Sequence, residues 1–210
     1  MVQGLAVGVN CSAGHIVGMN LFQNGVGGSL PAEIGDLPEL TTLQLSGNAV
    51  GGTIPAQIGK LTKLTDFELD NNQFKGQLPD TFAQMQQLYT LSVYANELTG
   101  TLPESIFALS NLVNLNLDQN MIGGRIPSAI GKLTSIVDMT LDHNALTGPV
   151  PIEMKNMKNL EGVQLDDNKL TGPLPKLPFA HYDNFCDMSG NNFTCPLPIG
   201  AKAKCSATCD

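Results

Sequence analysis

The stretch Leu40-Thr-Thr-Leu-Gln-Leu-Ser-Gly-Asn48-Ala-Val-Gly-Gly52-Thr-Ile-Pro55-Ala-Gln-Ile-Gly-Lys-Leu61 decides the fold, because the chain repeats it. Its asparagine returns as Asn24, Asn72, Asn96, Asn120, Asn144 and Asn168, an unbroken spacing of 24 residues. A glycine stands four positions after each, as Gly28, Gly76, Gly100, Gly124, Gly148 and Gly172 do. A proline follows three positions later, at Pro31, Pro79, Pro103, Pro127, Pro151 and Pro175. A fixed period of this length marks a solenoid, in which each unit is too thin to bury its own apolar face and the core is the column shared between neighbours.

Each position in the unit has a physical reading. Leu43-Gln-Leu45 alternates apolar and polar, as a short strand with one buried face does. Its counterparts are Met19/Leu21, Phe67/Leu69, Leu91/Val93, Leu115/Leu117, Met139/Leu141 and Val163/Leu165. Stacked side by side, these strands form a parallel sheet at about 4.8 Å per strand. The asparagine carries donors and an acceptor, so it can satisfy turn backbone in a ladder from repeat to repeat; the reading is structural. The glycine permits a backbone shape or close approach that a side chain would block. Proline suits the first residue of a short helical turn, which carries pairs such as Ile58/Leu61, Phe82/Met85 and Ile130/Leu133 into the core.

The strings Leu98-Thr-Gly-Thr-Leu-Pro103 and Ile126-Pro-Ser-Ala-Ile-Gly-Lys-Leu133 closely resemble the plant-specific type of leucine-rich repeat. That type is shared by polygalacturonase-inhibiting proteins, the ectodomains of plant receptor-like kinases and surface proteins of various protists. The resemblance covers nearly the whole chain. It implies an α/β repeat fold: a right-handed leucine-rich repeat solenoid with a concave parallel β-sheet, short 3-10 helical turns on the convex side and a second short strand near each Thr-Gly-x-Ile-Pro stretch. It implies no single activity, because ligands in the family range from enzymes to peptides.

A continuous repeat makes the 210 residues one elongated domain, with a partial N-terminal cap over 1–18, repeats over 19–175 and a C-terminal cap over 176–210. No apolar run is long enough to span a bilayer. Met1-Val-Gln-Gly is no secretory leader, and the start inside a repeat-like region reads as a piece of a longer chain, with Met1 added. Relatives carry a tryptophan and a second cysteine ahead of the equivalent of Cys11; here both are missing, which leaves Cys11 an odd thiol. Four further cysteines, Cys186, Cys195, Cys205 and Cys209, cluster where the repeat ends. They read as two structural disulfides and an oxidising, extracellular compartment, with three pairings open; zinc is disfavoured because C-x2-C pairs are lacking. Phe179, Tyr182 and Phe185 are expected to cover the end of the core, an aromatic binding patch being the weaker alternative. Asn10 and Asn192 head N-glycosylation sequons in the two caps.

Function in a solenoid sits on residues that the repeat leaves free. The seven residues before each repeat asparagine hold nine acids (Asp66, Glu68, Asp70, Asp118, Asp138, Asp142, Glu161, Asp166 and Asp167) and no Lys or Arg. The concave face is therefore expected to be an acidic trough. Two residues before each asparagine stand Phe22, Ser46, Asp70, Tyr94, Asp118, Asp142 and Asp166; like charges about 5 Å apart in such a column repel by roughly 1–3 kcal/mol. A basic protein or peptide would relieve them, with Tyr94, Tyr89 and Phe22 as anchors and His143 on the same face. The rival reading is that the acids only keep a broad sheet soluble.

No metal or cofactor is expected: calcium fits poorly, since a flat strand face offers ligands from one side only. The net charge of −8 argues against nucleic acid. No nucleophile is placed to work with His143, so an enzyme is not expected. Ice binding, known in some relatives, needs a regular Thr or Asn row, whereas the column after the glycines reads Ser29, Thr53, Gln77, Thr101, Arg125, Pro149 and Pro173. Two functions remain: an extracellular recognition module of a receptor or adhesion protein, and a secreted inhibitor of a foreign enzyme similar to the polygalacturonase-inhibiting proteins. A monomer is assumed.

Overall fold

The computed structural model describes residues 8–209; the Met1-Val-Gln-Gly stretch lies outside them. The alternation in each unit acts as expected. Leu43, Phe67, Leu91, Leu115, Met139 and Val163 are at most 1% exposed, and the residues on either side of each face outward. Their strands build one nine-stranded sheet, from Gly8–Ser12 at one end to Phe185–Asp187 at the other. The first pair, Gly8–Ser12 with His15–Asn20, is an antiparallel hairpin; every later pair is parallel and steps by one repeat, as in Thr42↔Asp66, Thr90↔Asn114 and Asp138↔Gly162. The second short strands form two four-stranded sheets, Gly27–Ser29 to Glu97–Thr99 and Gly123–Arg125 to Asn192–Thr194, joined by a single bridge between Thr101 and Gly123.

Short 3-10 turns close the units, among them Ala32–Asp36, Ala56–Lys60, Glu104–Ala108, Ser128–Lys132 and Ile152–Asn156. The expectation that proline opens each turn is off by one place. Pro31, Pro55, Pro103, Pro127 and Pro151 precede the turns, in extended backbone with φ between −76° and −68°. Their carbonyls accept the first bond of each turn, and the fixed φ sets the chain's entry. The glycine of Ile-Gly-Lys-Leu is dictated by stacking: a Cβ on Gly59 would lie 2.7 Å from the Thr81 carbonyl, and one on Gly131 2.5 Å from that of Glu153.

The asparagine ladder runs to backbone, not from asparagine to asparagine. Asn120, 8% exposed, donates from Nδ2 to the carbonyls of Val93, Leu117 and Asp118, and its Oδ1 accepts from the Leu98 N–H. Asn72, Asn96, Asn144 and Asn168 repeat the pattern, and Asn191 carries it into the cap. Each side chain thus ties its own turn to the repeat before it.

The C-terminal cap is stapled by Cys186–Cys205 and Cys195–Cys209, which selects one of the three possible pairings. Cys11 is a free, exposed thiol. Phe179 and Tyr182 pack edge to face, 6.1 Å between centroids, and both are 3% exposed over the end of the core. Burial raises the Tyr182 hydroxyl to a pKa of about 12. Phe185 does not join them. It lies on the last strand of the large sheet, where alternation turns Cys186 and Met188 inward and Phe185 and Asp187 outward. Of the two sequon asparagines, Asn192 is exposed and Asn10 is half-buried against Gly18.

Candidate functional site

The pairing register fixes which outward side chains stand together. One row across the large sheet reads Thr42, Asp66, Thr90, Asn114, Asp138, Gly162 and Phe185. A second reads Gln44, Glu68, Ser92, Asn116, Thr140, Gln164 and Asp187. Beyond the strands, backbone bonds carry the register on through Ser46, Asp70, Tyr94, Asp118, Asp142 and Asp166. The next column, which includes Asn71, Ala95, Gln119, His143 and Asp167, has left-handed backbone with φ of 47–52°. These rows contain eight of the nine acids of the strip; the ninth, Glu161, immediately precedes the strand Gly162–Gln164.

They are not equivalent. Glu161 and Asp167 are exposed, and Asp66, Glu68, Asp118 and Asp138 are half-buried. Several are held by neighbours in the sheet: Glu68 accepts from Gln44 Nε2 at 2.8 Å, Asp118 from Thr140 Oγ1 at 2.9 Å and Asp138 from Asn184 Nδ2 at 3.1 Å. Asp70 departs furthest from the expected solvated acid. It is 7% exposed, with Oδ1 accepting from Ser92 Oγ and the Tyr94 N–H and Oδ2 from Ser46 Oγ. Burial outweighs these three donors and raises its pKa from 3.8 to about 6.

Asp142 is 6% exposed, and burial together with the charge of Asp118 lifts it to about 6 as well. Asp166 is raised in the same way, by burial first and then by Asp187. His143, on the turn, sets Nδ1 3.1 Å from Asp167 Oδ2 and Nε2 4.0 Å from Asp142 Oδ2. The lysine salt bridges among the described residues, Lys60–Asp36, Lys63–Glu39 and Lys204–Asp183, all lie away from these rows. Among the described residues, the acids of these rows make no salt bridge to a lysine or arginine.

The aromatics frame the acids. Tyr89 is 50% exposed and Phe22 42%. Tyr89 rims a shallow open depression with Thr65, Asp66, Gln87, Asn111 and Val113. Tyr94 is half-buried, with its backbone committed to Asp70. Two further residues join the face: Phe185, expected there only in the weaker binding-patch reading, and Asp187, which the sequence reading did not name. Phe185 spreads over Gly162, where a Cβ would meet its ring at 2.5 Å, and Asp187 ends the second row. Both were legible from the Phe-Cys-Asp-Met alternation.

Models described as leucine rich repeat match residues 39–61 and 62–122. The chain is a leucine-rich repeat protein. Among solved structures, this leucine-rich repeat chain is similar to the ectodomain of the Arabidopsis thaliana membrane receptor kinase GASSHO1/SCHENGEN3, solved in complex with CASPARIAN STRIP INTEGRITY FACTOR 2. They share 33% identity over 90% of this chain and 23% of that one, with a TM-score of 0.83. It is also similar to the plant peptide hormone receptor RGFR1, solved in complex with RGF2: 32% identity, 80% of this chain, 27% of that one, TM-score 0.77. A plant ice-binding protein shares 28% identity over 91% of this chain and 63% of that one, with a TM-score of 0.74. The chain spans about a quarter of the length of these two receptor chains. No curated protein sequence matches it.

Proposed function

We propose that this leucine-rich repeat is an extracellular, non-catalytic recognition module whose concave face binds a basic peptide or protein segment. The observation that carries the reading is the charge sorting: nine acids in the strips before the repeat asparagines, no Lys or Arg among them, and the described lysine salt bridges elsewhere. Solubility alone asks for mixed charge, not for exclusion of one sign from one face. Tyr89, Phe22 and Phe185 supply apolar contact beside the charge, the combination found at binding hot spots. The receptor ectodomains it resembles were solved with peptide ligands, and two disulfides suit an oxidising compartment. The ice-binding relative does not redirect the reading. The column after the glycines is broken here by Arg125, Pro149 and Pro173, so it offers no regular hydroxyl row.

A displayed library of random twelve-residue peptides tests this against the chain and against a variant carrying Asp66→Lys, Asp118→Lys and Glu161→Lys, all outside the buried set. Enrichment of Lys/Arg-rich sequences on the parent, weakened by salt and lost on the variant, is expected. Peptides captured equally by both proteins would sink the concave-face reading and move the search to the caps and convex side.

A further inference from the structure

Asp142, His143 and Asp166 each place one ligand atom within 4.8 Å of the others. The two carboxyls come from consecutive repeats, and the imidazole comes from the left-handed turn residue after Asp142. The objection that a strand face supplies ligands from one side only does not apply here, because the turn brings nitrogen in from another direction.

Two observations distinguish this group from a patch of exposed acids. The Asp142 side chain is only 8% exposed, yet its Oδ1 is buried without a hydrogen-bond partner; Asp166 Oδ1 is in the same condition. Buried carboxyl oxygens are ordinarily paired, and leaving them bare is costly. The second observation is the orientation of His143. Nδ1 lies 3.1 Å from Asp167 Oδ2, so a proton carried on Nδ1 faces that carboxylate and the lone pair is left on Nε2, the nitrogen on the side of Asp142. A carboxylate holding the far nitrogen of an imidazole is the arrangement that orients a metal-ligating histidine and raises its basicity.

We propose that Asp142, His143 Nε2 and Asp166 bind one divalent transition-metal ion of the zinc class, with Asp167 as the positioning residue for the imidazole. Two carboxylates balance the double positive charge, and the nitrogen selects zinc-like ions over calcium and magnesium, which prefer all-oxygen shells. Ligands about 2.1 Å from a tetrahedral ion stand roughly 3.4 Å apart. The 4.0 Å between Nε2 and Asp142 Oδ2 closes to that by a small rotation of the half-exposed imidazole. Three protein ligands leave a fourth position, which opens onto the trough.

The test is titration of the metal-stripped chain with Zn2+ against a fluorescent zinc indicator, alongside His143→Ala, Asp166→Asn and Asp167→Asn. The alanine fits the turn, because Ala95 holds the same place in an earlier repeat at φ 52°. Thermal melts confirm that each variant is folded. One saturable equivalent is expected for the parent, lost in His143→Ala and Asp166→Asn and weakened about 10–100-fold in Asp167→Asn. Millimolar Ca2+ or Mg2+ should not displace it. His15, His181 and the free thiol of Cys11 remain in every variant, so zinc binding unchanged by His143→Ala would assign it to those residues and overturn the proposal. Failure of the parent to saturate, or displacement by Ca2+, would overturn it equally.

Discussion

Asp70 makes the sharpest prediction about stability. Its carboxyl is 7% exposed and has three donors, yet its pKa is raised from 3.8 to about 6 because burial disfavours the charged form more than Ser92, Tyr94 and Ser46 favour it. A group whose pKa is higher in the folded state stabilises that state only while protonated. Its contribution is complete below about pH 4 and is lost as pH rises through 6. At about 1.4 kcal/mol per pH unit, the rise amounts to about 3 kcal/mol. Asp70→Asn removes the charge and keeps the shape: Oδ1 can still accept from Ser92 and the Tyr94 N–H, and the new amide can donate to the Ser46 hydroxyl. Parent and variant should therefore be within about 0.5 kcal/mol of each other at pH 4. At pH 7 the variant should be the more stable by about 3 kcal/mol, or roughly 6–12 °C in melting temperature for a chain of this size. Melts of both proteins from pH 3.5 to 8 read the difference directly, and background titration of the other acids cancels in it. A variant that is less stable at pH 7, or a difference that does not change with pH, would refute the reasoning: the charged carboxylate would then be stabilised by its hydrogen bonds after all.

Two further outcomes follow from side chains whose partners are known. Asn120→Ala leaves the Leu98 N–H without its partner at a buried site and removes one of the two asparagine donors on each of the Val93 and Leu117 carbonyls, which keep Asn96 and Asn144; urea denaturation should show a loss of about 2–4 kcal/mol, whereas Asn111→Ala, which removes one exposed bond to the Gln86 carbonyl, should cost under about 1 kcal/mol. When the chain is secreted from a glycosylating host, Asn192 should carry the glycan and Asn10 should not, because Asn192 is exposed and the Asn10 side chain packs against Gly18; a glycosidase mass shift retained in Asn192→Gln would contradict this.

How much could be read in advance depended on whether a residue obeys the repeat. Strand positions, core pairs and the asparagine column follow from the spacing of 24, since each is fixed by backbone geometry that recurs in every unit. The proline was misplaced by one residue because the first carbonyl of a 3-10 turn belongs to the residue before it, which sequence does not mark. Phe185 was misread because the cap repeat is 23 residues on, and the aromatic composition drew attention away from the alternation that places it outward. Burial of Asp70 was not legible at all. It depends on Ser46 and Ser92 closing over the carboxyl from both neighbouring repeats, and serine in a strand says nothing about depth. Disulfide pairing likewise needed the fold of the cap.

The contrast between the asparagine and aspartate columns explains where a ligand should land. Both follow the same register, so wherever a residue recurs in successive repeats, as the asparagines do throughout and the aspartates do from Asp118 to Asp166, it faces its own kind in the next unit. Asparagine carries donors and an acceptor and satisfies itself against backbone, which turns repetition into a ladder. Ionised aspartate has acceptors only, so repetition stacks like charges and every donor must come from elsewhere. At Asp70 the donors are two serines and a backbone N–H. At Asp118 one is a threonine. Asp142 stands between Asp118 and Asp166 in the column, Asp166 between Asp142 and Ser189, and one buried oxygen on each of the two is left bare. The deficit of positive charge is thus greatest in the C-terminal half of the concave face. In the metal-free chain, a basic segment of the kind proposed would gain most by placing its cationic end there, in competition with a metal ion at Asp142 and Asp166, with its apolar part running toward Tyr89 and Phe22.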